Sequence, residues 1–161
     1  MPSSIEHRRK SLNKDLALFG ETHYLAESFV RWPFGYNKIQ EFILGYNDNV
    51  YPSIYSLGQN ELKIFITLAE MMEHNNTVVC SSSDIADVCL LHPTAVRYSF
   101  RKLREKLYFV LKIEEIKKRS KYIINPLYVN KGDDEDIQEA CNIWNDTLAV
   151  SAPELTNKYK H

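Results

Sequence analysis

The chain has 161 residues, a net charge of −1 and an apolar fraction of 44%, with five glycines and six prolines. That length fits one domain with extensions, or one domain plus a small subdomain, and the apolar content excludes a disordered chain. No run of about 18 uncharged apolar residues occurs, so no transmembrane helix is expected, and the basic start lacks the apolar stretch of a secretory signal.

In chain order, the first fifty or so residues carry weak periodicity. Leu12, Leu16 and Phe19 in "SLNKDLALF" fall at helical spacing. Pro33 in "RWPFGY" restricts Trp32, lacks an N–H and breaks any helix there. Ile39, Phe42 and Ile43 in "NKIQEFILGY" share one side of a further helical turn, and "NDNVYPSIYSLG" reads as loop. Aromatic side chains are dense from Tyr24 to Tyr55, which fits a packed core or a subunit contact, with a pocket or partner surface as the functional alternative.

From Gly58 the pattern sharpens. "GQNELKIFITLAEMMEHNN" places Leu62, Phe65, Ala69 and Met72 on one stripe with Ile66 and Leu68 beside it, a helix ending at Asn75–Asn76. "TVVC" is a short β-branched strand. "SSSDIADVCLL" opens with capping residues and turns Ile85, Val88 and Cys89 inward over about two turns of helix. "HPTAVRYSFRKLREKLY" has Pro93 suited to a first helical position, then Val96, Phe100, Leu103 and Leu107 as a buried stripe. "YFVLKIEEI" and "KYIIN" are β-type runs joined by the polar tip "KKRS", and Pro126 closes the second. "GDDEDIQEACNIWNDTLAV" is a helix with an acidic first turn and an apolar stripe of Ile137, Ala140, Cys141, Trp144 and Leu148. The tail after Pro153 is expected to fray.

The small net charge conceals a block structure. Residues 92–121 hold ten basic and three acidic residues, a net of +7, between residues 15–91 at −7 and residues 133–161 at −5. A local field of this kind, rather than net charge, attracts a polyanion. Three cysteines, Cys80, Cys89 and Cys141, without a C-x-x-C pair argue against a disulfide framework or a zinc site and fit buried thiols in a reducing, cytoplasmic compartment. His7, His23, His74, His92 and His161 form no metal-binding spacing, and no phosphate-binding loop, dinucleotide fingerprint or nucleophile motif appears. No cofactor, metal or catalytic residue is therefore expected, and the chain does not read as an enzyme.

The order helix, strand, helix, turn, helix, strand, basic turn, strand is that of a winged helix-turn-helix. The expected fold is mainly α with a small β-hairpin wing and additional N- and C-terminal helices. Residues 1–56 form an aromatic extension and candidate dimerisation region, 57–132 the winged-helix domain, and 133–161 a terminal helix and tail. In a helix-turn-helix the second helix enters the DNA major groove. With Val96, Phe100, Leu103 and Leu107 inward, the outer face carries Thr94, Arg97, Tyr98, Arg101 and Lys102, and Arg104 lies at its edge within reach of a flanking phosphate. Arginine pairs bidentately with guanine, and threonine or tyrosine contacts a thymine methyl or a phosphate. The wing adds Lys117, Lys118, Arg119 and Lys121 for the DNA backbone.

The segment from about residue 57 to residue 148 resembles the winged-helix plasmid replication proteins of the RepL or RepA type. Asn60, Glu61, Leu62 and Lys63 match the start of that family's first helix, and Ser81, Asp84, Ile85 and Ala86 its "S-x-x-D-I-A" start. Tyr122, Asn125, Pro126, Lys131 and Gly132 match its "Y-x-x-N-P-x-x-x-x-K-G". The family's turn glycine is missing, since "VCLLHPTAV" stands in its place. The resemblance implies binding of double-stranded DNA in replication initiation or copy control of a plasmid or other mobile element, in the cytoplasm. A homodimer is expected because one short helix reads few base pairs, with the Trp144 helix and the N-terminal aromatics as candidate dimer surfaces. Replication or transcription machinery is a further possible partner. The alternatives are a transcriptional regulator and a winged-helix module that binds protein.

Overall fold

The computed structural model describes residues 38–44, 46 and 50–158. The expected helix around Leu12, Leu16 and Phe19, the break at Trp32–Pro33 and the aromatics from Tyr24 to Tyr36 lie outside these residues. The described elements are α1 (Gln59–Met71), β1 (Thr77–Cys80), α2 (Ser82–Cys89), α3 (Pro93–Glu105), β2 (Val110–Ile116), β3 (Arg119–Ile124), α4 (Asp134–Ser151) and α5 (Pro153–Lys158). Short 3-10 turns at Lys38–Glu41 and Ile54–Ser56 precede them. From Gly58 onward the order matches the sequence reading. With five helices and a three-stranded antiparallel sheet, the architecture of the described residues is mixed α/β.

The helix starts are written into the local sequence. Ser81 Oγ accepts from the Asp84 N–H at 3.1 Å while Asp84 Oδ2 accepts from the Ser81 N–H at 2.9 Å, a capping box that opens α2. Asp133 and Asp136 do the same for α4, both bonds at 3.0 Å. Pro93 occupies the first turn of α3, and His92 Nδ1 accepts from the Thr94 N–H at 3.1 Å. The Gly58 N–H donates to Glu61 Oε1 at 2.8 Å and starts α1.

The sheet order is β1–β3–β2, with Val78 opposite Tyr122 and Leu111 opposite Ile123. Alternation along the strands sends successive side chains to opposite faces. Val78, Cys80, Val110, Tyr122 and Ile124 join the core formed with α1, α2 and α3. Leu111 and Ile123 join a second core with Cys141, Trp144 and Leu148 of α4 and with Ile39, Ile43 and Tyr51. The sheet is thus covered on both faces. Asn145 binds the N-terminal segment to α4, its Nδ2 donating to Phe42 O and its Oδ1 accepting from the Leu44 N–H, both at 2.7 Å. The second core draws on all three expected segments. Trp144 is fully buried in it, so the apolar stripe of α4 packs within the chain.

Several helix faces differ from the periodicity reading. On α1 the fully buried residues are Ile64, Phe65, Leu68 and Ala69, while Ile66 is exposed and Leu62 only partly covered. The helix is enclosed from two sides, by α2 and α3 and by the ring pair Phe109–Tyr128, stacked at 4.0 Å; Phe65 meets Phe109 edge-on at 5.1 Å. On α2, Ala86 faces inward instead of Val88, which is 59% exposed. Leu107 falls beyond the end of α3, its N–H bonded to Lys102 O at 3.1 Å. Helix α1 stops at Met71 rather than Asn75–Asn76: Met72 is already extended, at ψ 155°, and Lys131 Nζ satisfies the end by donating to the carbonyls of Glu70 and Met72 at 3.3 and 2.6 Å. The segment after Pro153, expected to fray, forms α5.

Candidate nucleic-acid interface

Helix α3 is strongly two-sided. Val96, Ser99, Phe100 and Leu103 are buried, and burying each of the three apolar side chains stabilises by about 1.5–3 kcal/mol. Phe100 meets Tyr122 of β3 at 4.9 Å, which ties the helix to the sheet. The opposite face presents Thr94, Arg97, Tyr98 and Arg101, all exposed, with Tyr98 73% accessible. Arg97 Nη2 donates to Thr94 Oγ1 at 3.3 Å, and Arg101 Nε pairs with Glu105 at 3.1 Å on the solvent side. An exposed i, i+4 pair of this type contributes about 0.3–0.5 kcal/mol and is readily exchanged for a better anionic partner.

The remaining cations predicted for this surface are engaged inside the molecule. Lys102 Nζ lies 3.2 Å from Glu61 Oε2 and braces α3 against the start of α1. Arg104 stacks its guanidinium over the Phe100 ring at 4.9 Å, with the Tyr122 ring at 6.0 Å and its Nε buried. Lys102, assigned to the outer face by the helical wheel, lies on the flank of α3 and meets α1, and Arg104 lies at the edge of the face, as expected, and stacks on the Phe100 ring.

The basic hairpin divides in the same way. Its turn is two residues long, Lys117 and Lys118, both exposed, with Arg119 already in β3. Lys117 has φ +59°, the positive value that a two-residue hairpin turn requires at its first central residue. Ile113 forms a bulge in β2 between Lys112 and Glu114. Lys121 shares the sheet face of Ile123 and lies in register with Val79 and Glu114, on the side away from α3. Arg119 makes a bidentate pair with Asp84 of α2, Nε to Oδ2 at 2.8 Å and Nη2 to Oδ1 at 3.3 Å. That guanidinium, together with the Ser81 N–H, holds the Asp84 carboxyl down at about 2. Lys106, exposed at the end of α3, is a further free cation that the sequence reading passed over.

The turn between α2 and α3 accounts for the missing glycine. Leu90 occupies the left-handed position, φ +57° and ψ +41°, and is 87% exposed. A leucine there costs about 1–2 kcal/mol that a glycine would not.

The residues resembling the replication-protein motif are structural in this chain. Asn125 is fully buried, its Nδ2 donating to Tyr108 O at 2.9 Å and its Oδ1 accepting from the Leu127 N–H at 2.9 Å. Lys131 caps α1 as described above. Gly132 has φ +99°, and a Cβ there would sit 2.2 Å from the Asp136 carboxylate. Buried Asn76, at φ +66°, joins this run to the sheet by donating to Ile124 O and Val129 O at 3.0 and 2.8 Å.

Among the described residues no three His, Cys, Asp or Glu side chains are grouped to hold a metal ion, and no helix is long and apolar enough to cross a membrane. Burial pushes the Cys80 and Cys141 thiols up to about 11, so neither presents a ready thiolate. No protein-family model, curated protein or solved structure matches this chain.

Proposed function

We propose that the protein is a sequence-specific, non-catalytic DNA-binding protein with a winged-helix core, acting as a homodimer in replication initiation or copy control of a plasmid or other mobile element. In this reading α3 is the recognition helix and the β2–β3 hairpin is the wing. The observation that carries it is the two-sided α3: a fully packed inner face holds Thr94, Arg97, Tyr98 and Arg101 outward on a rigid element. Support comes from the element order and the β1–β3–β2 sheet, which agree with a winged helix, and from the exposed Lys117–Lys118 tip. Arg97 and Arg101 supply guanine or phosphate contacts, Thr94 and Tyr98 methyl or phosphate contacts, and Lys117 and Lys118 backbone contacts.

Regulation of a promoter is the nearest alternative and uses the same surface. A protein-binding module is a separate class, favoured by exposed Val88 and Leu90 beside the helix pair. Selection of bound sequences from a random DNA pool tests these readings. Enrichment of a site found in repeats beside the coding gene supports replication control, and a site within a promoter supports transcription control. Failure to enrich any sequence contradicts both and leaves the protein-binding module.

A further inference from the structure

We propose that the Asp84–Arg119 pair is a positioning clamp, which fixes the hairpin tip against α2 and thereby sets where Lys117 and Lys118 stand relative to the outer face of α3. Arg119 then acts through position rather than as a DNA contact; this role rests on the DNA-binding reading above.

The geometry isolates this pair. Strand β1 accompanies β3 as far as Cys80 opposite Ser120 and then turns into the Ser81 cap of α2. Beyond that point β3 has no strand on its β1 side, and Arg119 is the next residue. Among the described residues it provides the only side-chain hydrogen bond or ion pair between Ile116–Ser120 and a helix. Its partner is itself fixed, because Asp84 Oδ2 also accepts from the Ser81 N–H at 2.9 Å. From Asp84 the connection runs along two turns of α2 and through the Leu90 turn into α3. The base of the hairpin is held to α3 by Tyr122 against Phe100, and the tip beyond it is referenced to the helix pair through one bidentate contact, whose fork a lysine cannot reproduce.

The clamp and a direct phosphate contact by Arg119 predict opposite signs. If Arg119 gripped phosphate, Asp84→Asn would release it and remove a negative charge from the interface, so DNA affinity would rise; Arg119→Lys would keep the charge and bind nearly as before. If Arg119 positions the hairpin, both variants weaken binding by about threefold to tenfold, the range of coupling changes that act through structure. Asp84→Asn retains an oxygen for the Ser81 N–H, and Arg119→Lys leaves the α2 cap untouched, so both variants fold.

The experiment uses the full chain with two readouts: affinity for a short duplex carrying the selected site, and amide hydrogen exchange across residues 115–120 without DNA. The clamp predicts weaker binding and faster exchange in both variants. Tighter or unchanged binding by Asp84→Asn overturns it, as does unchanged exchange. If the parent protein binds no DNA, the proposed function fails, and the exchange readout alone still decides whether the pair braces the hairpin.

Discussion

Replacing Leu90 with glycine stabilises the protein. Leu90 caps α2 in the left-handed region, φ +57° and ψ +41°, where its Cβ crowds the following carbonyl. That conformation costs about 1–2 kcal/mol for an L-residue, and glycine removes the cost. Glycine returns about 0.5–1 kcal/mol through the greater freedom of its unfolded chain. Little packing is lost, because Leu90 is 87% exposed and its N–H bond to Ala86 O belongs to the backbone. The balance is a gain of about 0.5–1 kcal/mol, or a rise in Tm of about 1–4 °C for a chain of this size. Leu90→Ala separates the causes, since alanine keeps the strain and removes only an exposed side chain; its stability stays within about 0.5 kcal/mol of the parent. Urea denaturation of the three proteins measures this. A loss of stability in Leu90→Gly, or an equal gain in both variants, refutes the strain account and assigns the effect to the exposed side chain.

Three further predictions concern the packing that supports the interface. The Asp84 carboxyl is held at about 2 against an ordinary 3.8, so its pairing stabilises fully above about pH 4 and is lost as the pH falls through 2. Asp84 is 30% exposed, and screening reduces the effect to about 1 kcal/mol. Urea midpoints should show Asp84→Asn less stable than the parent at pH 6 and equal to it near pH 2; an equal deficit at both contradicts the ion-pair account. Asn76→Ala leaves the buried Ile124 and Val129 carbonyls without their side-chain donor and puts alanine at φ +66°, costing about 2–4 kcal/mol in the same assay, and a loss under 1 kcal/mol contradicts the bridging role. Tyr51→Phe removes a buried hydroxyl that makes no well-formed hydrogen bond and has the Trp144 side chain as its polar neighbour, and keeps the ring against Tyr46, Tyr108 and Trp144; stability is unchanged or rises by up to about 1 kcal/mol, and a clear loss shows that the hydroxyl is bonded to Trp144.

What the sequence disclosed was local. The capping residues before α2, Pro93 at the start of α3, the β-branched run of β1 and the inner stripe Val96, Phe100 and Leu103 depend on neighbours within one turn or one strand, and all are present. The candidate interface was legible where exposure follows from helical spacing alone, at Thr94, Arg97, Tyr98 and Arg101. It was not legible where a cation finds a partner distant in the chain. Lys102 meets Glu61, Arg104 reaches the Tyr122 ring, and Arg119 meets Asp84; no periodicity encodes these encounters, whereas the stacking of Arg104 on Phe100, four residues earlier on α3, follows from helical spacing. The sheet face of Lys121 was not legible for another reason: it depends on the strand register, which a cluster of basic letters does not report. The second core was hidden too, because it joins Ile39 and Tyr51 to Trp144 across most of the chain.

The central claim is that the outer face of α3 binds DNA. Its most direct test is the affinity for the selected duplex across a salt series, for the parent and for Arg97→Ala/Arg101→Ala. With Arg97, Arg101, Lys117 and Lys118 as phosphate partners, log K should fall against log salt with a slope of about −3.6 per protomer. The double variant should lose that site and flatten the slope by about two. A slope near zero in the parent, or a double variant that binds the site as tightly as the parent, contradicts the account.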